Sequence, residues 1–167
     1  MLIIVDMQNE YVDEKGKAVV QGARELEDGI LERIQHYETK GETIFYTINT
    51  KVSHHDRDEA EVEWAIEPYG KLKKALKDHH MIEKLHYGIS AENAMEIKNK
   101  MKEDIDTKRI EFVGVETNMC VFTNSIIFQN IFPEADIVIN SKLCNSSVGK
   151  LHHNALELMK ELNMEVI

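Results

Sequence analysis

The chain has 167 residues, enough for one domain whose core needs neither disulfide staples nor a structural metal. Apolar residues make up 43% and charged residues 30%, the balance of a folded globular protein rather than a disordered one. A net charge of −10 argues against a nucleic-acid surface, and no apolar run is long enough to span a bilayer.

In chain order, short apolar runs alternate with segments of helical period. Strands are predicted at 2–5, 43–48, 80–83, 110–115, 136–139 and 164–167. Between the first two, Leu26, Ile30, Ile34 and Tyr37 recur on one helical face, and Gly41 follows as a stop. The charged stretch 51–68, broken by His54-His55-Asp56-Arg57-Asp58, reads as a loop or lid. Further helices are predicted at 71–77, 90–102, 119–131 and 148–162, with Ser90 as an N-cap. In the last of them Leu151, Ala155, Leu158 and Leu162 are expected to form the buried stripe. Strands apolar along their length, alternating with helices, imply a parallel α/β sheet covered on both faces. Residues 1–167 read as a single domain. Cys120 and Cys144 make no disulfide framework, and no signal-peptide pattern opens the chain, so a cytoplasmic protein is expected.

In open α/β sheets ligands gather at the carboxyl ends of the strands. That rule selects Asp6, Asn49, Lys84 and the segment after Val115. Cys120 follows a strand-to-helix passage, where a helix dipole is expected to lower its thiol pKa and free N–H groups could hold an oxyanion. Taken alone, such a cysteine is more often a buried structural residue. Asp6 beside it could accept the thiol proton, and Lys84 could hold the carboxylate and favour a thiolate. Three such groups at three strand ends are far more specific than any one of them.

The motifs Ile-Val-Asp6-Met-Gln-Asn-Glu, Glu-Lys84-Leu-His-Tyr and Gly114-Val-Glu-Thr-Asn-Met-Cys120-Val carry a resemblance that covers essentially the whole chain. The sequence resembles the isochorismatase-like cysteine hydrolases, a group that includes nicotinamidases and N-carbamoylsarcosine amidase. That resemblance implies a three-layer α/β/α fold, Rossmann-like, around a six-stranded parallel sheet. It implies an Asp6–Lys84–Cys120 triad, a covalent acyl-enzyme, and a homodimer or higher homo-oligomer. It further implies a cis peptide joining Val115 to Glu116, an oxyanion hole from the N–H groups of Glu116 and Cys120, and a pocket near Tyr11, Trp64 and Tyr87.

The sequence departs from metal-containing nicotinamidases after the second strand. Where they carry Asp-x-His, it reads Asn49-Thr50-Lys51, and a protonated Lys51 cannot be a ligand. No metal or other cofactor is expected, and nicotinamide becomes doubtful. Asn49 and Lys51 are instead expected to bind substrate, with Lys51 and Arg57 suggesting a ligand that carries an anionic group. Glu116 stands where relatives have a small or uncharged residue, and a second carboxylate would oppose a thiolate. Cys144 is expected to be structural. The function expected is hydrolysis of a small amide, carbamoyl or ureido compound, with no nucleic-acid or membrane partner. The alternatives are vinyl-ether hydrolysis, in which Asp6 acts as an acid, and a catalytically inactive oligomeric binding protein.

Overall fold

The six predicted strands pair into one sheet. β1 (Leu2–Val5), β2 (Ile44–Asn49), β3 (His80–Lys84), β4 (Arg109–Val115), β5 (Asp136–Asn145) and β6 (Glu165–Val166) run parallel in the order β3-β2-β1-β4-β5-β6. The computed structural model describes residues 1–101 and 108–167, so the helix end predicted at Lys102 lies outside the described residues.

All four residues of β1 are buried, and alternate ones serve opposite layers. Leu2 and Ile4 pack with Val12 of α1 (Asn9–Val12), with Ile30, Ile34 and Tyr37 of α2 (Glu27–Thr39) and with Leu72 of α4 (Leu72–Ala75). Ile3 and Val5 pack with Ala94 and Ile97 of α5 (Ala91–Met101), Phe128 of α6 (Phe122–Ile131), and Leu156 and Met159 of α7 (Gly149–Glu161). The result is the expected three-layer α/β/α arrangement. Gly41 ends α2 at φ +68°, a left-handed turn that glycine makes without steric cost. Ser90 caps α5, its Oγ accepting the Asn93 N–H at 3.1 Å. Among the described residues no helix is long and apolar enough to cross a membrane.

Two local expectations need correction. The stretch 51–68 is not loop throughout, because α3 (Glu59–Ile66) occupies its second half. Asp58 and Glu61 form a reciprocal capping box there, supplying two of the hydrogen bonds that a helix start otherwise lacks. In α7 the buried positions are Ala155, Leu156 and Met159, whereas Leu151, Leu158 and Leu162 are exposed. The sheet contacts α7 about a quarter-turn away from the stripe that spacing alone selects.

Strand order reverses between β1 and β4, the crevice where such sheets place ligands. Gly114 makes the close approach there possible. Its φ is +115°, and a Cβ on it would stand 2.1 Å from the carbonyl oxygen of Val5. Gly114→Ala is therefore expected to destabilise the chain by about 3 kcal/mol, combining backbone strain with a backbone clash. Urea unfolding followed by circular dichroism reads that shift.

Candidate active site

β1, β2, β3 and β4 deliver their carboxyl ends to one crevice. Asp6 follows β1 directly and adopts φ +50°, a left-handed conformation that aspartate tolerates better than most residues. Its backbone N–H donates to Thr47 Oγ1 at 3.2 Å, and that hydroxyl donates to Asp6 Oδ1 at 2.6 Å. Lys84 ends β3, with β2 lying between it and β1. Its ammonium stands 2.7 Å from Asp6 Oδ2, 2.8 Å from the His86 carbonyl oxygen and 3.5 Å from Cys120 Sγ. Both side chains of the pair are out of water, at 0% and 1% exposure.

Cys120 lies on a π-helical turn, Thr117–Val121, that leads into α6. The Val115–Glu116 peptide before it is cis. The structure thus brings Asp6, Lys84 and Cys120 into mutual reach, although they are separated by 78 and 36 positions in the chain. An 80 Å³ cavity opens beside the sulfur, lined by Asp6, Tyr11, Asn49, Tyr87, Val115, Glu116, Met119 and Cys120.

The electrostatics differ from the dipole-lowered thiol that the sequence suggests. Burial, followed by the Asp6 charge, pushes the Cys120 thiol up to about 12, with Lys84 opposing. Burial also raises Asp6 above the ordinary carboxylate range, despite the ammonium and the Thr47 hydroxyl. Both groups that face the Lys84 ammonium are therefore shifted toward their protonated forms. Cys144 is also pushed up to about 12 by burial, but its Sγ donates to the Phe112 carbonyl oxygen inside the core. Contact with Lys84 and the cavity, not acidity, sets Cys120 apart.

Tyr11, Asn49 and Tyr87 line the cavity as expected from the sequence. The Tyr11 hydroxyl bonds the Asn49 side chain, and burial raises its pKa. Tyr87 is 58% exposed and stands at the mouth. Lys51 and Trp64 are placed elsewhere. Lys51 is exposed, and its backbone N–H donates to Asn49 Oδ1 at 3.0 Å. Trp64 faces a separate surface hollow shared with Lys15, Lys17 and Arg57. Arg57 does not supply free positive charge, because its guanidinium is buried against Glu10 at 2.5 Å. The Glu116 carboxylate turns from the sulfur, its Oε2 accepting the Ser147 N–H at 2.6 Å.

A cation does not fit the end of β2. The Asn49 side-chain oxygen already accepts from Lys51, and His55 pairs with Asp56 at the surface. Among the described residues no group of three or more His, Cys, Asp or Glu could hold a metal ion.

Three supporting residues escape the strand-end rule. Thr47 orients the Asp6 carboxylate. Gln8, fully buried, donates to the carbonyl oxygens of Asn49 and Ala65 and accepts the Asn49 N–H, locking β2 to α3. Asn124 donates to the carbonyl oxygens of Cys120 and Tyr87 and accepts from Ile89 N–H, stitching the mouth loop to the sulfur-bearing turn. Polar residues within apolar helical or strand segments need such partners, and that signal was available in the sequence for Asn124 and Thr47.

Among solved structures, the fold is similar to a nicotinamidase from Bacillus subtilis, at 24% identity and a TM-score of 0.80, covering 99% of this chain and 97% of that one. A nicotinamidase from Staphylococcus aureus gives 24% and 0.80, covering 99% and 96%. The pyrazinamidase of Pyrococcus horikoshii in complex with zinc gives 18% and 0.75, covering 99% and 97%. No curated protein matches the sequence. The family model described as the isochorismatase domain matches residues 1–167. With that model spanning its full length, the chain belongs to the isochorismatase family of hydrolases.

Proposed function

We propose that the chain is a cysteine-dependent hydrolase of a small amide, carbamoyl or ureido compound, using Asp6, Lys84 and Cys120 without a metal. The observation that carries this is the contact of one buried ammonium with both the Asp6 carboxylate and the Cys120 sulfur, beside a cavity. An 80 Å³ cavity is small against the roughly 300–1,000 Å³ of ordinary ligand sites, so the group that enters it is compact. The nicotinamidase and pyrazinamidase neighbours act on carboxamides by name, which suits the same chemistry here.

The cycle begins with transfer of the thiol proton to Asp6 as Sγ attacks the carbonyl carbon. The oxyanion is held by the backbone N–H groups of Glu116 and Cys120, and Lys84 offsets the negative charge that builds in a dry site. Collapse breaks the C–N bond, and Asp6 returns its proton to the departing amine or ammonia. Asp6 then takes a proton from water as its oxygen attacks the thioester. The second collapse releases the acid and restores the thiol with the proton from Asp6. A vinyl-ether hydrolysis would use Asp6 as an acid but leaves the Lys84–Cys120 contact without a purpose.

Ammonia release from a panel of small primary amides, carbamoyl and ureido compounds tests the proposal. Cys120→Ala is expected to lower turnover by about 10³-fold or more, and dialysis against a chelator to leave native turnover intact. Release that persists in Cys120→Ala, or none from any compound, overturns the reading.

The competent form holds Asp6 ionised and Cys120 protonated. Because Asp6 is raised, kcat/KM is expected to rise with pH through a midpoint above the ordinary carboxylate value, then to decline only as pH nears 12. An acid limb at the usual carboxylate value would remove Asp6 as the base.

Asp6→Asn separates sulfur acidity from catalysis. It removes the charge that raises the thiol, so iodoacetamide should alkylate Cys120 faster at pH 8 than in the native protein. Turnover should fall by roughly 10²–10⁴-fold, the range for loss of a general acid–base. Mass spectrometry locates the adduct.

A further inference from the structure

The loop between β3 and α5, residues 85–89, borders the cavity through Tyr87 and is fastened at both ends to groups of the site. At its start the Lys84 ammonium donates to the His86 carbonyl oxygen at 2.8 Å. At its end Asn124, fully buried in α6, engages with both polar atoms of its side chain. Its Oδ1 accepts the Ile89 N–H at 3.0 Å, and its Nδ2 donates to the carbonyl oxygens of Tyr87 at 3.0 Å and Cys120 at 2.7 Å. An amide nitrogen carries two protons, so both are used. One nitrogen thus joins the backbone of the mouth tyrosine to the backbone of the nucleophile. Gly88 lets the loop lie this close, because a Cβ there would stand 2.7 Å from Ile127 Cδ1 and 2.8 Å from Thr123 Cγ2 on α6. Between the two ties Leu85 and Tyr87 are exposed, so hydrogen bonds rather than buried side chains hold that part of the loop down.

We propose that Asn124 is a specificity-determining residue that sets the width of the entrance, pinning the mouth loop to the sulfur-bearing turn so that only compact compounds reach Cys120. The cavity holds 80 Å³, with Tyr87 of the loop and Met119 of the turn among its walls, and Asn124 bonds the backbone on both sides. The turn has a tie of its own, from Thr117 Oγ1 to His152 Nδ1 of α7 at 2.9 Å. Releasing Asn124 from the loop therefore moves Tyr87 outward and leaves the sulfur in place. Which compounds are turned away rests on the hydrolase reading above, whereas the width of the entrance can be measured without turnover.

Alkylation of Cys120 in the full chain reads that width. Iodoacetamide and iodoacetanilide share the reacting carbon and the leaving group and differ by a phenyl ring. Their rate ratio, normalised to glutathione, therefore reports steric access. In the native chain the bulkier reagent is expected to lag by about tenfold or more, and in Asn124→Ser by less than about threefold. Serine keeps a donor for the Cys120 carbonyl four residues back but is too short to reach Tyr87 or Ile89. Gly88→Ala acts from the other side, lifting the loop off α6 with Asn124 intact, and should shift the ratio the same way. Cys144, buried in the core, stays unlabelled while each chain is folded. Ammonia release adds a substrate arm, in which Asn124→Ser should raise kcat/KM for benzamide relative to acetamide by about tenfold. No ammonia from any amide, with the alkylation shift present, would fail the hydrolase reading and uphold the narrow entrance. A folded Asn124→Ser chain that keeps the native ratio would overturn the proposal. So would a Gly88→Ala chain that keeps it where serine unfolds the protein, or a native chain that admits both reagents alike.

Discussion

The buried ion pair between Asp6 and Lys84 is the constraint on which the site depends. Moving two charges out of water costs several kcal/mol for each ion, and their attraction offsets this only when the remaining polar valences are also met. The fold meets them unevenly. Thr47 takes one Asp6 oxygen and the His86 carbonyl takes one ammonium proton, while Oδ2 and the third side of the ammonium are left to the sulfur and the cavity. The pair spans β2, which contributes the Thr47 hydroxyl to Asp6 Oδ1. Three strands must therefore stay in register for it to persist, and the Asn49–Lys84 pairing between β2 and β3 sets that register directly. Loss of either partner would strand the other charge in an apolar interior, a penalty of about 3–5 kcal/mol.

Much of this was readable before any coordinates. The strand runs, the cap at Ser90, the stop at Gly41 and the polar residue after each strand follow from patterns that act over a few residues. The cis peptide followed from the resemblance rather than from such patterns, and the structure carries it at the same bond. The misreadings have physical causes. α3 was hidden by its charge, although Asp58 and Glu61 carry the spacing of a capping box. In α7 two apolar arcs lie side by side, and helical periodicity cannot say which of them meets the sheet and which another surface. Lys51 and Arg57 looked like free cations because sequence shows charge but not pairing, and Glu10 is 47 positions from Arg57.

The thiol shows the same difference in scale. A helix start favours a thiolate through a local dipole, an effect of about 1 kcal/mol at the surface. Burial and a carboxylate in contact act more strongly and in the opposite direction, and neither can be seen without the fold.

A second buried carboxylate supplies the contrast that singles out Asp6. Glu111 on β4 lies in the same sheet and is equally hidden from water. Burial alone would raise it, but hydrogen bonds from Arg33 and Asn140, the Arg33 charge and the Tyr37 hydroxyl more than offset this, and its pKa falls below the ordinary value. Every lone pair direction of Glu111 is used, so no proton can be held there at neutral pH, and the residue ties α2 to β4 and β5 as structure. Asp6 is met by the Thr47 hydroxyl and the Lys84 ammonium and is shifted the other way. One fold thus shifts two buried acids in opposite directions, and the one shifted upward borders the cavity.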